Sequence, residues 1–218
     1  MRFSETFFAS GFIIILAVCN VHLFSADTAA SLCFENAAVM NGEWWRIITH
    51  PFVHVSWYHL LLDVAAVTIL WREMSLPSPL RKLFVAWWCC AGSLITAAWF
   101  SPVIDQYGLC GLSGTAHGMM FFLGLHWITT SAKADKPKRI IGIAAGIILV
   151  GVSGLKSLIE VTTGQVIFTS IHAGDFGIPI VESHLGGIIG GLAAFLLLQT
   201  GTVRLIPADK MRSDAAAD

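Results

Sequence analysis

Charge is what this sequence has least of. Asp, Glu, Lys and Arg make up 12% of its residues, about half the roughly 25% of an ordinary soluble domain. Hydrophobic residues reach 56% and the mean hydropathy is +0.73. That balance excludes an ordinary water-soluble domain and predicts a membrane protein. There is no surplus of positive charge either. The formal net charge is −1, which gives no reason to expect a nucleic-acid partner. No repeat with a period of about 20–50 residues is evident, which removes solenoids and propellers. Nor is there room for a separate soluble domain, because apolar runs take up most of the 218 residues.

Six such runs lie at about 6–24, 57–71, 79–100, 112–130, 138–159 and 184–201. Each approaches the roughly 20 apolar residues that cross a bilayer. The first is read as a retained helix, since the stretch from Phe7 to Phe24 is long for the core of a cleaved leader. With the N-terminus placed in the cytoplasm, 11 of the 13 Lys and Arg residues fall on the inner side. Only Arg46 and Lys156 fall elsewhere. Basic residues collect on the cytoplasmic side. The expected fold is therefore an all-α bundle of six transmembrane helices over residues 1–203, with both termini cytoplasmic. A short polar cytoplasmic tail, 204–218, follows.

The five cysteines are an odd number. Cys19, Cys89 and Cys90 lie in apolar runs and read as packing residues. Cys33 and Cys110 fall on the outer side, where a disulfide is allowed. Sequence alone does not say whether they meet.

The topology then gathers polar residues at one depth. His59 and Asp63 open the second run, Ser113 the fourth and His184 the sixth, and all three runs enter from outside. Ionisable groups within a membrane are costly and face the bundle interior or a wet cavity. One shared cavity is the economical expectation. His184, Gly187 and Gly191 share a helix face, and Gly114 and Gly118 share another. Small faces of this kind let membrane helices approach closely. A serine hydroxyl needs an adjacent base to become a nucleophile. At a helix start, Ser113 would also sit near free backbone N–H groups, which favour a developing oxyanion. The stretch 108–118, "GLCGLSGTAHG", supplies glycines at 108, 111 and 114 that would let irregular backbone approach a substrate.

The motif by itself says little. G-x-S-G occurs twice, as "GLSG" at 111–114 and "GVSG" at 151–154, and Ser153 reads as helix packing. "GLSGT" is also not the G-x-S-x-G of soluble hydrolases. Shared depth and shared glycine faces are what single out Ser113 and His184.

The ordered set of pieces resembles a rhomboid intramembrane serine protease over roughly residues 40–200. "EWWRIITHPFVHVSWYHLLLD" is similar to the family's W-R segment and histidine-rich start of its second helix. "GLSG" resembles its nucleophile motif, and "SHLGGIIGG" its H-x-x-G-x-x-x-G face. The resemblance implies Ser113 as nucleophile and His184 as general base and acid. It implies His59, with the Ser113 N–H, as a support of the oxyanion at the close turn of Gly111. It implies cleavage of peptide bonds within or beside a transmembrane helix, with no metal and no organic cofactor.

Two positions depart from the common pattern. Asp63 stands where rhomboids usually carry Asn. A carboxylate cannot donate a hydrogen bond, so Asp63 either acts protonated or pairs with His59 on the same face. His117 stands where many rhomboids have Tyr, which resembles the rhombosortase branch. That branch implies membrane-anchored partners: exported proteins with a C-terminal Gly-Gly, an apolar helix and a basic tail, cut on the outer side of a bacterial inner membrane. A conventional rhomboid differs in substrate only. A rhomboid-like pseudoprotease would bind helices without cutting them. A transporter is disfavoured by the lack of paired broken helices.

The remaining polar residues have plainer readings. His50 and His54 read as structural hydrogen-bonding residues rather than metal ligands, because no cysteine or carboxylate beside them completes a set. Trp44, Trp45 and Arg46 read as interface anchors, and Glu43 as interfacial. His126 reads as a bundle hydrogen-bonding residue. His172 and Asp175 lie in the long loop between the fifth and sixth runs, a cap or a passive connection.

Overall fold

The computed structural model describes residues 3–25, 31–167, 173–175 and 177–200. His172 and the expected tail 204–218 lie outside them.

Among the described residues the long elements are six helices, one for each apolar run: α1 (Phe3–Cys19), α2 (Trp57–Glu73), α3 (Pro79–Phe100), α4 (Ser113–Ser131), α5 (Lys136–Thr163) and α6 (Val181–Gln199). Their ends follow local chemistry. The hydroxyl of Ser56 caps α2 by accepting from the His59 N–H, and Ser78 caps α3 from Arg81, with Pro79 at the first helical position. Gly164, at φ +67°, closes α5 in the left-handed conformation. Helices α3, α5 and α6 are long and apolar enough to cross a membrane by length and composition. The turn Arg46–Phe52 and α2 qualify together as one broken span bent by 90°. The 28 residues of α5 extend about 42 Å at 1.5 Å per residue.

Helices α4 and α6 together form the hub. Helix α6 packs along α3 and α4 and touches α5, while α4 also packs on α5, α3 and α2. The apolar core lies between these helices, with Val85, Cys89, Met119, Phe122, Leu123 and Ala194 all but sealed.

Glycine sets the interhelical distance. A Cβ on Gly187 would run into the Gly114 carbonyl, one on Gly118 into the Gly187 carbonyl, and one on Gly191 into the Gly118 carbonyl. A second seam joins α3 to α6, where Gly92 meets Gly186 and Gly190 meets the Trp88 carbonyl. A third joins α4 to α5 through Gly124 and Gly146. Lipid chains are as apolar as leucine, so close packing carries the association that water drives in soluble proteins.

Adding a methyl to a closed seam therefore forces the helices apart, at about 1–3 kcal/mol. Gly187→Ala is expected to lower the thermal midpoint in detergent micelles. Gly151→Ala, with no atom within 4 Å of the new Cβ, is expected to leave it unchanged or raise it. Similar losses in both variants would show that the seam does not set the packing.

Candidate active site

Ser113 is the first residue of α4 and His184 lies in the first turn of α6. The glycine seam between these helices brings His184 Nε2 to 3.3 Å from Ser113 Oγ. The other ring nitrogen, Nδ1, stands 2.8 Å from Glu160 Oε2. A carboxylate only accepts, so Nδ1 carries the proton and Nε2 is left as acceptor for the serine hydroxyl. This tautomer is assigned from the partners.

Glu160 comes from α5 and is 0% exposed. Its Oε1 accepts from Lys156 Nζ at 2.5 Å and from the Ile167 N–H at 3.0 Å. Both carboxylate oxygens are thus satisfied, the condition under which a buried charge is tolerated. Lys156 also donates to His117 Nε2 at 3.1 Å, while His117 Nδ1 donates to the Ser113 carbonyl at 2.8 Å. The His117 ring stacks on His184, with centroids 4.1 Å apart and planes at 14°. His117 is thereby held neutral, as a plate against the second imidazole.

A second cluster sits on the other side of the 108–113 turn. Asp63, 4% exposed, accepts the Leu112 N–H at 2.6 Å. The same oxygen lies 3.3 Å from His59 Nε2 and 3.4 Å from His54 Nε2. Asp63 thus accepts from the backbone of the turn and stands beside both imidazoles. Gly111 passes directly above. A Cβ there would lie 2.7 Å from the His59 ring and 2.8 Å from Asp63, and its φ of +89° already favours glycine. The Gly111 N–H donates to the His50 carbonyl at 3.0 Å, tying the turn to the preceding loop.

His59, Asp63, Ser113, His117, Lys156 and His184 line one cavity of about 240 Å³. The six expected site residues thus form two adjoining groups: Ser113, His117 and His184 on one side, and His59, Asp63 and Gly111 on the other. Two residues were not singled out from sequence, Lys156 and Glu160. Their signal was an ionisable pair four apart inside an apolar run, which in a membrane helix marks a site.

Arg46 differs from its reading as an interface anchor. It is buried, pairs with Glu43 at 2.7 Å and Glu35 at 3.4 Å, and donates to the Cys33 carbonyl at 2.7 Å. A guanidinium has five donors to place, and here the Cys33 carbonyl and two carboxylates of the loop accept from it. Trp44 and Trp45 do stand exposed. His117, Glu160 and His184 present ligand atoms within 4.8 Å of one another, the separation a metal would need. Lys156 already bonds two of the three, and an ammonium there repels a cation.

The family model described as Rhomboid domain matches residues 41–200. This chain belongs to the rhomboid family. It is an integral, multi-pass membrane protein. It is 25% identical over 182 residues to "Rhomboid protease GluP" of Bacillus subtilis (strain 168), an alignment covering 78% of this chain. The chain spans about 30% of the length of that curated relative. No solved structure matches it.

Replacing Asp63 by Ala would strand the Leu112 N–H and remove the carboxylate beside both imidazoles. A buried donor left unpaired costs about 1–3 kcal/mol. Asp63→Asn keeps an acceptor oxygen and is expected to lose less. Thermal denaturation of the two variants makes the comparison, and equal midpoints would show that Asp63 does not hold the turn.

Proposed function

We propose that this rhomboid-family protein is an intramembrane serine endopeptidase. The observation that carries the proposal is the line Ser113 Oγ, His184 Nε2, His184 Nδ1, Glu160 Oε2, with contacts of 3.3 Å and 2.8 Å. It has the roles of nucleophile, base and orienting acid in order.

His184 takes the Ser113 proton as Oγ attacks the scissile carbonyl. Glu160 stabilises the imidazolium that forms. The new oxyanion lies at the N-terminus of α4, whose first N–H groups have no intrahelical acceptor, and His59 stands beside it. His184 then gives the proton to the departing amine, which leaves an acyl group on Ser113. Water, deprotonated by His184, releases the acid product and restores the hydroxyl. Asp63 and Gly111 position His59 and the turn, and His117 fixes the plane of His184.

The reading extends to topology. Six spans with both termini cytoplasmic place the cavity toward the outer face, with residues 1–203 as the membrane domain and 204–218 as a cytoplasmic tail. The substrates are then membrane proteins of the exported kind. His117 in the tyrosine position favours rhombosortase substrates, with a C-terminal Gly-Gly, an apolar anchor helix and a basic tail, in a bacterial inner membrane. A conventional rhomboid that cleaves other transmembrane proteins fits the same site, and the similarity to "Rhomboid protease GluP" favours it.

Two measurements test this. A serine-directed fluorophosphonate should label the wild type and not Ser113→Ala; equal labelling of both removes Ser113 as nucleophile. Glu160→Gln should lower kcat by at least roughly 100-fold with KM little changed, because the imidazole loses its anionic partner. Unchanged kcat would reduce the site to a dyad. The substrate class is read by co-expression with two reporters, one ending in the Gly-Gly anchor signal and one carrying a generic transmembrane helix. Cleavage of the first near Gly-Gly supports the rhombosortase reading, and cleavage of the second alone supports the conventional one.

A further inference from the structure

Cys33 and Cys110 take no part in the chemistry above, yet the backbone sets them opposite each other. Phe34 and Leu109 exchange both main-chain hydrogen bonds, at 2.9 Å and 2.8 Å, as an antiparallel bridge. The position next to such a pair is a non-hydrogen-bonded pair, where Cα atoms stand about 4.5 Å apart. Cys33 precedes Phe34 and Cys110 follows Leu109, so they occupy it. A disulfide accepts Cα separations of about 4.4–6.8 Å. Both are free thiols in this structure, Cys33 buried and Cys110 half-buried. Cys110 packs against the small cluster of Cys33, Cys19 and Val53. Of these, Cys19 ends α1 and has no bridge to Cys110, while Cys89 lies sealed in the apolar core and Cys90 follows it in α3.

We propose that Cys33 and Cys110 form a disulfide in the native protein. It staples the loop after α1 to the turn that delivers Ser113, three residues further on. The same loop is held at two other points, by Arg46 on the Cys33 carbonyl and by Gly111 on the His50 carbonyl. A covalent link there would keep the Gly111 turn seated over His59 and Asp63. The two thiols give up two protons and two electrons to the disulfide of a protein thiol–disulfide oxidase. One thiolate attacks that disulfide and forms a mixed disulfide. The second thiolate then displaces the carrier as its dithiol. The oxidising compartment rests on the outward orientation proposed above; the pairing geometry does not.

The test starts from wild-type protein in native membranes. Free thiols are blocked with N-ethylmaleimide at lysis, and the denatured protein is digested and mapped by mass spectrometry without reductant. The expected result is one linked peptide pair, Cys33 with Cys110, two hydrogens lighter than the free thiols, and alkylated Cys19, Cys89 and Cys90. Reductant should then lower the thermal midpoint of the wild type but not that of Cys110→Ser. Five alkylated cysteines, or a Cys19–Cys33 link, would overturn the proposal. Oxidised glutathione added to the purified protein separates two ways of failing. A Cys33–Cys110 link that forms only then would overturn the native bond and place the pair on a reducing side. No link at all would overturn the geometry. Fluorophosphonate labelling of Ser113 on the same samples reports the protease reading independently.

Discussion

Helices α4 and α6 meet backbone to backbone, and everything at the cavity follows from that approach. Gly114 and Gly118 lie against Gly187 and Gly191 with no side chain between them. One methyl in this seam would push the helices apart by more than a hydrogen bond can stretch. The contact between Ser113 and His184 at 3.3 Å is therefore a property of four glycines as much as of the two residues that make it. The α3–α6 seam on the other side of α6 acts in the same sense. It fixes the rotation of the helix that carries His184 from two directions.

The second requirement is electrical. Two carboxylates, Asp63 and Glu160, are buried within a bundle that belongs in lipid. Each has polar partners: the Leu112 N–H and two nearby imidazoles at Oδ2 of Asp63, and an imidazole, an ammonium and a backbone N–H across both oxygens of Glu160. Such partners replace the hydration that a buried charge gives up. The polar interior is thus two compact clusters that face one shared cavity. Between them runs the Gly111 turn, whose Gly111 N–H donates to the His50 carbonyl and whose Leu112 N–H donates to Asp63.

That turn explains how loop and helix cooperate. The chain reaches Ser113 from a short antiparallel contact at Leu109, passes over His59 and Asp63 in a conformation that glycine favours, and starts α4 with its hydroxyl facing His184. Arg46, Glu35 and Glu43 brace the opposite loop. The nucleophile is thereby placed by three segments distant in sequence. Support of this kind keeps a functional side chain in its working rotamer.

The six helices were legible because apolar run length is written along the chain and needs no partner. The glycine faces of α4 and α6 were legible from spacing, Ser113 and His184 from their shared depth beside those faces, and His117 from the family resemblance alone. The role of Asp63 was only half legible: sequence left it as a protonated donor or a partner of His59, and only the fold brings the Leu112 N–H to it. Arg46 was misplaced at the interface because nothing in its neighbourhood names the carbonyl of Cys33. Glu160 and Lys156 were missed because a charged pair within one helix names no partner on another. Sequence, then, determined the class of chain, the order of its helices and which faces are small or polar, since each depends on spacing within one segment. Tertiary structure alone decided that Glu160 stands behind His184, that Cys33 faces Cys110 and that Asp63 receives Leu112. Each of these depends on the rotation and offset of one segment against another, which no periodicity within a segment encodes.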